Sequence, residues 1–331
     1  MRILLVKLSS LGDVVHTLPV VQDILAAIPD AQIDWVVEKA FAPLLMQVQG
    51  LARIIPCELR RWRKSFWVAQ TRREWHAFKA DLQQDRYDAV IDLQGLTKSA
   101  VMARLAKLTP QGRRYAMANQ TEGSGYEAPT RWAADVAIAL APHTHAVARG
   151  RLLAAKVLGY GADSFKKSVN YGLKVSVARS IQAQAAPKNV ALIHGTSRQD
   201  KTWSVQKWVE LGLRLQASGH PITLVHGSAT ELATSQAIAA KLGGNCTILP
   251  LLSLDALTQE LAACQGAIGV DSGVSHVAVA LGLPHVQIYN FDSAWRTGPV
   301  GCGHQASVFA TGGPSVDAVW RAWQVCESAV R

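Results

Sequence analysis

Met1-Arg-Ile-Leu-Leu-Val-Lys-Leu-Ser-Ser-Leu-Gly-Asp13 opens the chain and continues as Val14-Val-His-Thr-Leu-Pro19. Ile3 to Val6 is an unbroken leucine and β-branched run, the pattern of a strand buried on both faces of a parallel sheet. It stops at the small polar turn Ser9-Ser10-Leu11-Gly12, after which a helix is expected with Asp13 at or near its start. Ligands in open parallel sheets collect outside the carboxyl ends of the strands, so this turn is a natural place for a site. Position alone leaves two readings of Asp13. It caps the helix by accepting from free backbone N–H groups, or it is a carboxylate that does chemistry.

The strand-turn-helix pattern repeats outward from there. Gln32–Val37, Ala52–Pro56 and Ala89–Leu93 read as further strands, and Phe41–Val48 and Phe66–Gln83 as helices between them. Gly95 and Lys98 fall just past the fourth strand. Residues 112–129 read as a long Gly, Ser and Asn-rich loop, the kind that serves as a lid or binding segment. Helix is expected again over Arg131–Leu140 and Val147–Leu158, and a polar linker over 161–188. A second series follows. Strands are expected at Val190–Ile193, Ile222–Val225, Ala267–Val270 and Val286–Tyr289, with helices at Ser204–Gln216, Glu231–Leu242 and Leu254–Ala263. A capped amphipathic helix beginning at Ser315 closes the chain. Strands alternating with helices mean βαβ crossovers. The expected architecture is α/β: two facing doubly wound, Rossmann-like domains, 1–170 and 171–331, with an interdomain cleft, the last helix free to pack back on the first domain.

Composition agrees. A chain of 331 residues exceeds the size at which one core usually stops growing. Hydrophobic residues make up 49% and charged residues 18%, which leaves no room for extensive disorder. The five cysteines form no C-x-x-C pair, so neither a disulfide framework nor a zinc site is expected, and a reducing compartment follows. The N-terminal apolar run meets Lys7 too soon for a signal peptide, and no segment reaches the length of a membrane span. The expected location is the cytoplasm, with attachment to a membrane surface at most. The net charge of +10 is uneven: residues 1–170 hold 23 Lys and Arg against 15 Asp and Glu, residues 171–331 hold 11 against 9. An anionic partner is therefore expected on the first half.

Three strand-end loops of the second half carry compatible chemistry. His194-Gly-Thr196-Ser197 offers hydroxyls and leads to Lys201; His226-Gly-Ser228 leads to Glu231, a carboxylate suited to a ribose diol; Gly269-Val-Asp271-Ser272-Gly273-Val-Ser-His276 leads into a helix whose free N–H groups suit a diphosphate. Singly, Lys201 reads as a surface lysine, Glu231 as a first-turn acid and His276 as a core histidine. Together they read as a nucleotide-diphosphate pocket. No G-x-G-x-x-G or P-loop fingerprint opens either half, and no two aspartates stand two apart, so no metal clamp and no cofactor are expected. In the first half, Arg60-Arg61-Trp62-Arg63-Lys64 groups four cations, followed by Phe66 and Trp67. This reads either as a solvated helix entrance or as a clamp for phosphates and carboxylates. Neighbouring aromatics suit a membrane edge, and no nucleic-acid-binding signature accompanies the patch.

Lys7-Leu-Ser-Ser-Leu-Gly-Asp13, the basic run 60–64, Asp92-Leu-Gln-Gly-Leu-Thr-Lys98, Asp200-Lys201-Thr-Trp203 and Val270-Asp-Ser-Gly-Val-Ser-His276 together resemble the bacterial lipopolysaccharide heptosyltransferases, most closely their type I branch. The resemblance runs in order over essentially the whole chain. It implies a GT-B fold and inverting transfer of L-glycero-D-manno-heptose from ADP-heptose, a co-substrate, to a Kdo sugar on lipid A at the cytoplasmic face of the inner membrane. It implies Asp13 as general base, and a donor site of Thr196, Ser197, Lys201, Glu231, Asp271, Ser272, Gly273 and His276. The acceptor residues it implies are Ser10, Gly12, Arg60, Arg61, Arg63, Lys64, Gln94 and Lys98. One position departs: Tyr126 stands where related proteins tend to carry an arginine before the residue that is Glu127 here, leaving Arg113 or Arg131 to substitute. Two alternatives are a type II-like enzyme adding the second heptose, and a non-catalytic nucleotide-binding module recruited to anionic lipid.

Overall fold

The computed structural model describes residues 1–161, 169–175 and 189–330. The stretch expected as linker, 161–188, lies largely outside them. The chain divides into two compact units, Met1–Gly172 and Leu173–Arg331.

Six strands form the sheet of the first unit: β1 (Arg2–Val6), β2 (Gln32–Glu38), β3 (Leu51–Cys57), β4 (Arg86–Asp92), β5 (Lys107–Met117) and β6 (Val136–Ile138). All pair in parallel, in the order β3-β2-β1-β4-β5-β6. Strand β1 is central, with Ile3 opposite both Ile33 and Ala89, which is why Ile3 through Val6 are all fully buried. The helices are α1 (Leu11–Thr17), α2 (Pro19–Ala27), α3 (Ala42–Leu45), α4 (Leu59–Ser65), α5 (Ala69–Leu82), α6 (Thr97–Leu105), α7 (Thr130–Ala133) and α8 (Ala146–Leu158).

Four expectations here are corrected. The helix expected over Arg131–Leu140 is only the single turn α7, after which the chain becomes edge strand β6. The loop expected from Gly112 is strand as far as Met117. Pro110 and Gly112 disguise β5 because they sit at a bulge: the pairing jumps between Tyr87 and Ala89, and a Cβ on Gly112 would lie 2.3 Å from the Tyr87 carbonyl oxygen. The Phe41–Val48 helix is a short 3-10 turn followed by α3, and the Phe66–Gln83 helix starts only at Ala69.

The second unit repeats the plan with β7 (Val190–Ile193), β8 (Ile222–Leu224), β9 (Cys246–Ile248), β10 (Gly266–Val270), β11 (His285–Tyr289) and β12 (Gln305–Phe309), ordered β12-β11-β10-β7-β8-β9. Its helices are α9 (Val205–Ala217), α10 (Ala229–Leu242), α11 (Leu254–Ala262), α12 (Gly273–Ala280), α13 (Ala294–Thr297) and α14 (Val316–Ser328). Helix α14 packs on β11, β12 and α9, burying Trp323 against Gly266, where a Cβ would meet the indole at 2.6 Å. In each unit the first strand lies between the second and the fourth. The chain winds away from it in both directions, and the strand-end loops on either side of that reversal form the crevice where doubly wound sheets bind ligands.

Candidate functional site

At the reversal in the first unit, the loops after β1 and β4 interlock. The Gln94 side-chain carbonyl accepts the Leu8 N–H at 2.8 Å, and Lys98 Nζ donates to Ser9 Oγ at 2.7 Å. Asp92, fully buried, accepts from the Gln94 and Gly95 N–H groups at 2.9 and 3.2 Å and from Ser99 Oγ at 2.9 Å. Burial raises its pKa, and these donors only partly offset that. Ser10 is the residue before α1. Asp13, three positions on, accepts from both the N–H and the hydroxyl of Ser10, at 3.1 and 3.0 Å. Asp13 therefore does cap. Its other oxygen faces two cations: Lys7 Nζ and Arg149 Nη2, each 3.6 Å away.

The electrostatics of Asp13 follow from that pair. Burial works to raise its pKa, but Lys7, Arg149 and His16 outweigh burial and hold the carboxyl far below the usual range, while 40% of the side chain stays exposed. Lys7 is itself buried, its Nζ also donating to the Leu93 carbonyl at 3.2 Å; burial lowers its pKa, and Asp13 restores part of the loss. The site thus keeps an ionised carboxylate with an accessible edge.

The basic run divides. Arg60 approaches Glu38, a buried acid at the end of β2 whose pKa burial raises and Arg60 and Lys98 pull back. Arg60 and Lys98 are close enough to repel. Arg61 is instead tied to Glu58 at 2.9 Å and to Glu74. Arg63 and Lys64 are exposed on α4, and Trp62 is buried beneath them. Tyr126 uses its hydroxyl to donate to the Ala118 carbonyl at 2.8 Å, and Glu127 accepts the Thr97 N–H at 2.7 Å, so their loop is fastened to the start of α6. Of the two residues expected to substitute for the arginine, Arg131 lies over Trp132, 5.0 Å from the ring centroid, and Arg113 lies on β5 opposite Ala89.

In the second unit the reversal falls between β7 and β10. Lys201 Nζ donates to Asp271 Oδ2 at 2.5 Å across it, and Thr196 Oγ1 donates to the Asp271 carbonyl at 3.4 Å. Asp271 also lies 3.3 Å from His276 Nε2. Burial works to raise its pKa, and His276 and Lys201 overcome burial and hold it far below the carboxylate range. Ser272 caps α12 by accepting the Ser275 N–H at 3.4 Å, and Gly273 is the first helical residue. Glu231 accepts the Gly227 N–H at 2.6 Å and lies against Gly195, where a Cβ would stand 2.5 Å from its carboxyl carbon. Ser197 is exposed beside them. The three loops therefore converge within this unit, presenting a lysine, a helix start and a carboxylate: the parts needed to bind a diphosphate and a diol.

A family model described as glycosyltransferase family 9 (heptosyltransferase) matches residues 75–315. The chain is also 38% identical over 310 residues to lipopolysaccharide heptosyltransferase 1 of Pseudomonas aeruginosa, covering 91% of this chain and 82% of that one. The chain belongs to glycosyltransferase family 9. Among solved structures, it matches the E. coli heptosyltransferase WaaC with ADP at a TM-score of 0.86 and 32% identity, over 98% of this chain and all of that one. The same E. coli enzyme with ADP-2-deoxy-2-fluoro heptose matches at a TM-score of 0.79 and 32% identity, over 97% and 98% of the two chains. This family 9 member is thus a glycosyltransferase with the GT-B fold; the two doubly wound parallel-sheet units agree with the architecture expected from the sequence, each sheet having six strands where four were expected.

Several residues at these sites escaped sequence reasoning. Lys7 reads in sequence as an ordinary charge ending a strand, and Arg149 comes from a helix distant in sequence. Asn290, just past β11, donates to the Asp200 and Thr202 carbonyls at 2.9 Å each and so pins the loop carrying Lys201. The strand-end rule that found Asp271 applies equally to Asn290.

Proposed function

We propose that this family 9 glycosyltransferase takes ADP-heptose on its second unit and a Kdo sugar of lipid A on its first, transferring L-glycero-D-manno-heptose with inversion. The observation that carries this reading is the grouping of Lys201, Glu231 and the start of α12 in a chain that matches, over 98% of its length, an E. coli heptosyltransferase solved with ADP. Lys201 and the α12 N–H groups take the diphosphate; Glu231 takes the ribose diol.

The reaction is a single displacement. A Kdo hydroxyl oxygen attacks the anomeric carbon, the bond from that carbon to the diphosphate breaks, and ADP leaves with the electron pair. Asp13 receives the hydroxyl proton. A carboxylate held so far below its usual range is a weak base toward an alcohol, so proton transfer comes late, after the forming bond has made the hydroxyl acidic. Lys201 meets the charge that develops on the leaving group. Arg60, Lys98 and Gln94 receive the acidic acceptor, whose carboxylate suits a guanidinium. The enzyme works at the cytoplasmic face of the inner membrane, attached through its cationic first half. No helix among the described residues is long and apolar enough to cross a membrane.

The test is release of ADP from ADP-heptose in the presence of heptose-free Kdo-lipid A, with a heptose-bearing core acceptor alongside. Turnover on the first acceptor alone is expected. Turnover on the heptose-bearing acceptor alone would identify a type II-like enzyme, and donor binding without ADP release on either would identify a non-catalytic nucleotide-binding module.

A further inference from the structure

The turn joining α4 to α5 carries Phe66, Trp67 and Val68 in succession, and all three are exposed, Trp67 to 88%. Single exposed apolar residues are ordinary, but three adjoining ones at the tip of a turn make a patch. The turn is also firmly built. Trp62, Trp75 and Phe78 pack edge-on and tilted against one another beneath it, with ring centroids 5.4 to 5.8 Å apart. The Trp62 indole N–H donates to Glu74 at 3.1 Å, the Ser65 and Thr71 hydroxyls meet at 3.0 Å, and the Val68 N–H donates to the Ser65 carbonyl at 2.9 Å. The three tip residues are held outward beside a hydrophobic cluster they do not join.

Charge surrounds this tip. Residues 59–73 include Arg60, Arg61, Arg63, Lys64, Arg72 and Arg73 and contain no Asp or Glu. Arg61 is engaged by Glu58 and Glu74, and Arg60 faces Glu38. Arg63, Lys64, Arg72 and Arg73 are exposed around the apolar tip. Aromatic residues ringed by cations match an anionic bilayer surface, the rings settling at the headgroup and acyl boundary and the cations on phosphates.

We propose that the Phe66-Trp67-Val68 turn is a membrane anchor for anionic lipid, with Arg63, Lys64, Arg72 and Arg73 on the headgroups and Arg60 left for the acceptor sugar. The proposal rests on the membrane reading above and names the surface that performs it. The experiment is cosedimentation with phosphatidylglycerol vesicles and, separately, phosphatidylcholine vesicles, comparing the native protein, Trp67→Phe and the double variant Phe66→Ser with Trp67→Ser. Turnover on a deacylated, water-soluble Kdo acceptor is measured in parallel. The native protein and Trp67→Phe should pellet with phosphatidylglycerol, and the double variant should bind it about tenfold or more weakly, with turnover on the soluble acceptor unchanged. Equal pelleting of the double variant would overturn the anchor and leave the membrane reading standing. Failure of the native protein to pellet with phosphatidylglycerol would overturn both. Loss of soluble-acceptor turnover in the double variant would show that the turn serves catalysis or folding instead.

Discussion

Lys7 and Asp13 face each other at 3.6 Å, the lysine buried at the end of β1 and the aspartate part-exposed on the first turn of α1. A buried cation beside the part-exposed carboxylate fixes the charge of the proposed base. Asp13 should accordingly remain ionised at any pH the fold tolerates. The pH profile of kcat/KM is expected to show no acid limb at or above the ordinary aspartate value of about 4. Lys7→Met keeps the length of the side chain and removes the charge. In that variant the acid limb should move upward; an unmoved profile would mean that Lys7 only packs.

Lys201→Ala removes the cation from the proposed diphosphate site and leaves the buried Asp271 with His276 at 3.3 Å and with the Gln287 amide and Thr297 hydroxyl at 3.5 Å each. The expected result is a donor KM raised about tenfold or more together with a lower kcat, because charge on the departing ADP is no longer met. Steady-state kinetics with varied ADP-heptose measure both. A change confined to KM would restrict Lys201 to ground-state binding.

Gly195→Ala separates the site from the fold. The new methyl would collide with the Glu231 carboxyl group, the far end of a flexible side chain, so Glu231 can swing aside at little cost in stability. Donor affinity by calorimetry should fall several-fold while the thermal midpoint moves by no more than about 2 °C. Unchanged donor affinity would exclude Glu231 from the site.

Stability should depend on pH through His194. It is buried, its ring 2.7 Å from Ser235 Oγ, and burial, followed by the nearby His226, lowers its pKa to about 4. Between pH 6.5 and 4 the unfolded state binds a proton there and the folded state does not, so this contribution is complete above 6.5 and disappears as pH falls through 4. His194→Gln should therefore cost most at pH 7, and the gap in urea-unfolding free energy should shrink toward pH 4 by an amount on the order of 3 kcal/mol. A gap that stays constant with pH would contradict this. Taking the difference between the two proteins cancels the opposing effect of Glu38 and Asp92, whose burial raises their pKa values.

Much of the fold was legible because central parallel strands declare themselves. β1, β7 and β10 are covered on both faces, so they read as uninterrupted apolar runs. β6, β9 and β12 are edge strands and only partly buried; β9 and β12 have no apolar run to mark them, and the run 136–141 that holds β6 reads equally as the end of a helix. β5 was hidden by the proline and glycine its bulge uses. The same contrast holds at the sites. Asp13, Lys201 and Asp271 stand on strand-end loops, where position alone singles them out. Lys7 looked like an ordinary charge ending a strand, and Arg149 reaches Asp13 from α8, a contact that no local pattern encodes. The basic run was visible as a unit, but its division among Glu38, Glu58, Glu74 and open surface depends on which face of α4 each residue occupies.

The most direct measurement is Asp13→Asn, assayed for ADP release with ADP-heptose and Kdo-lipid A and checked by calorimetry for donor binding. The substitution preserves size and removes the proposed base. A loss of about a hundredfold or more in kcat with donor affinity intact is the predicted result. Near-native turnover in that variant would contradict the assignment of Asp13 as the base.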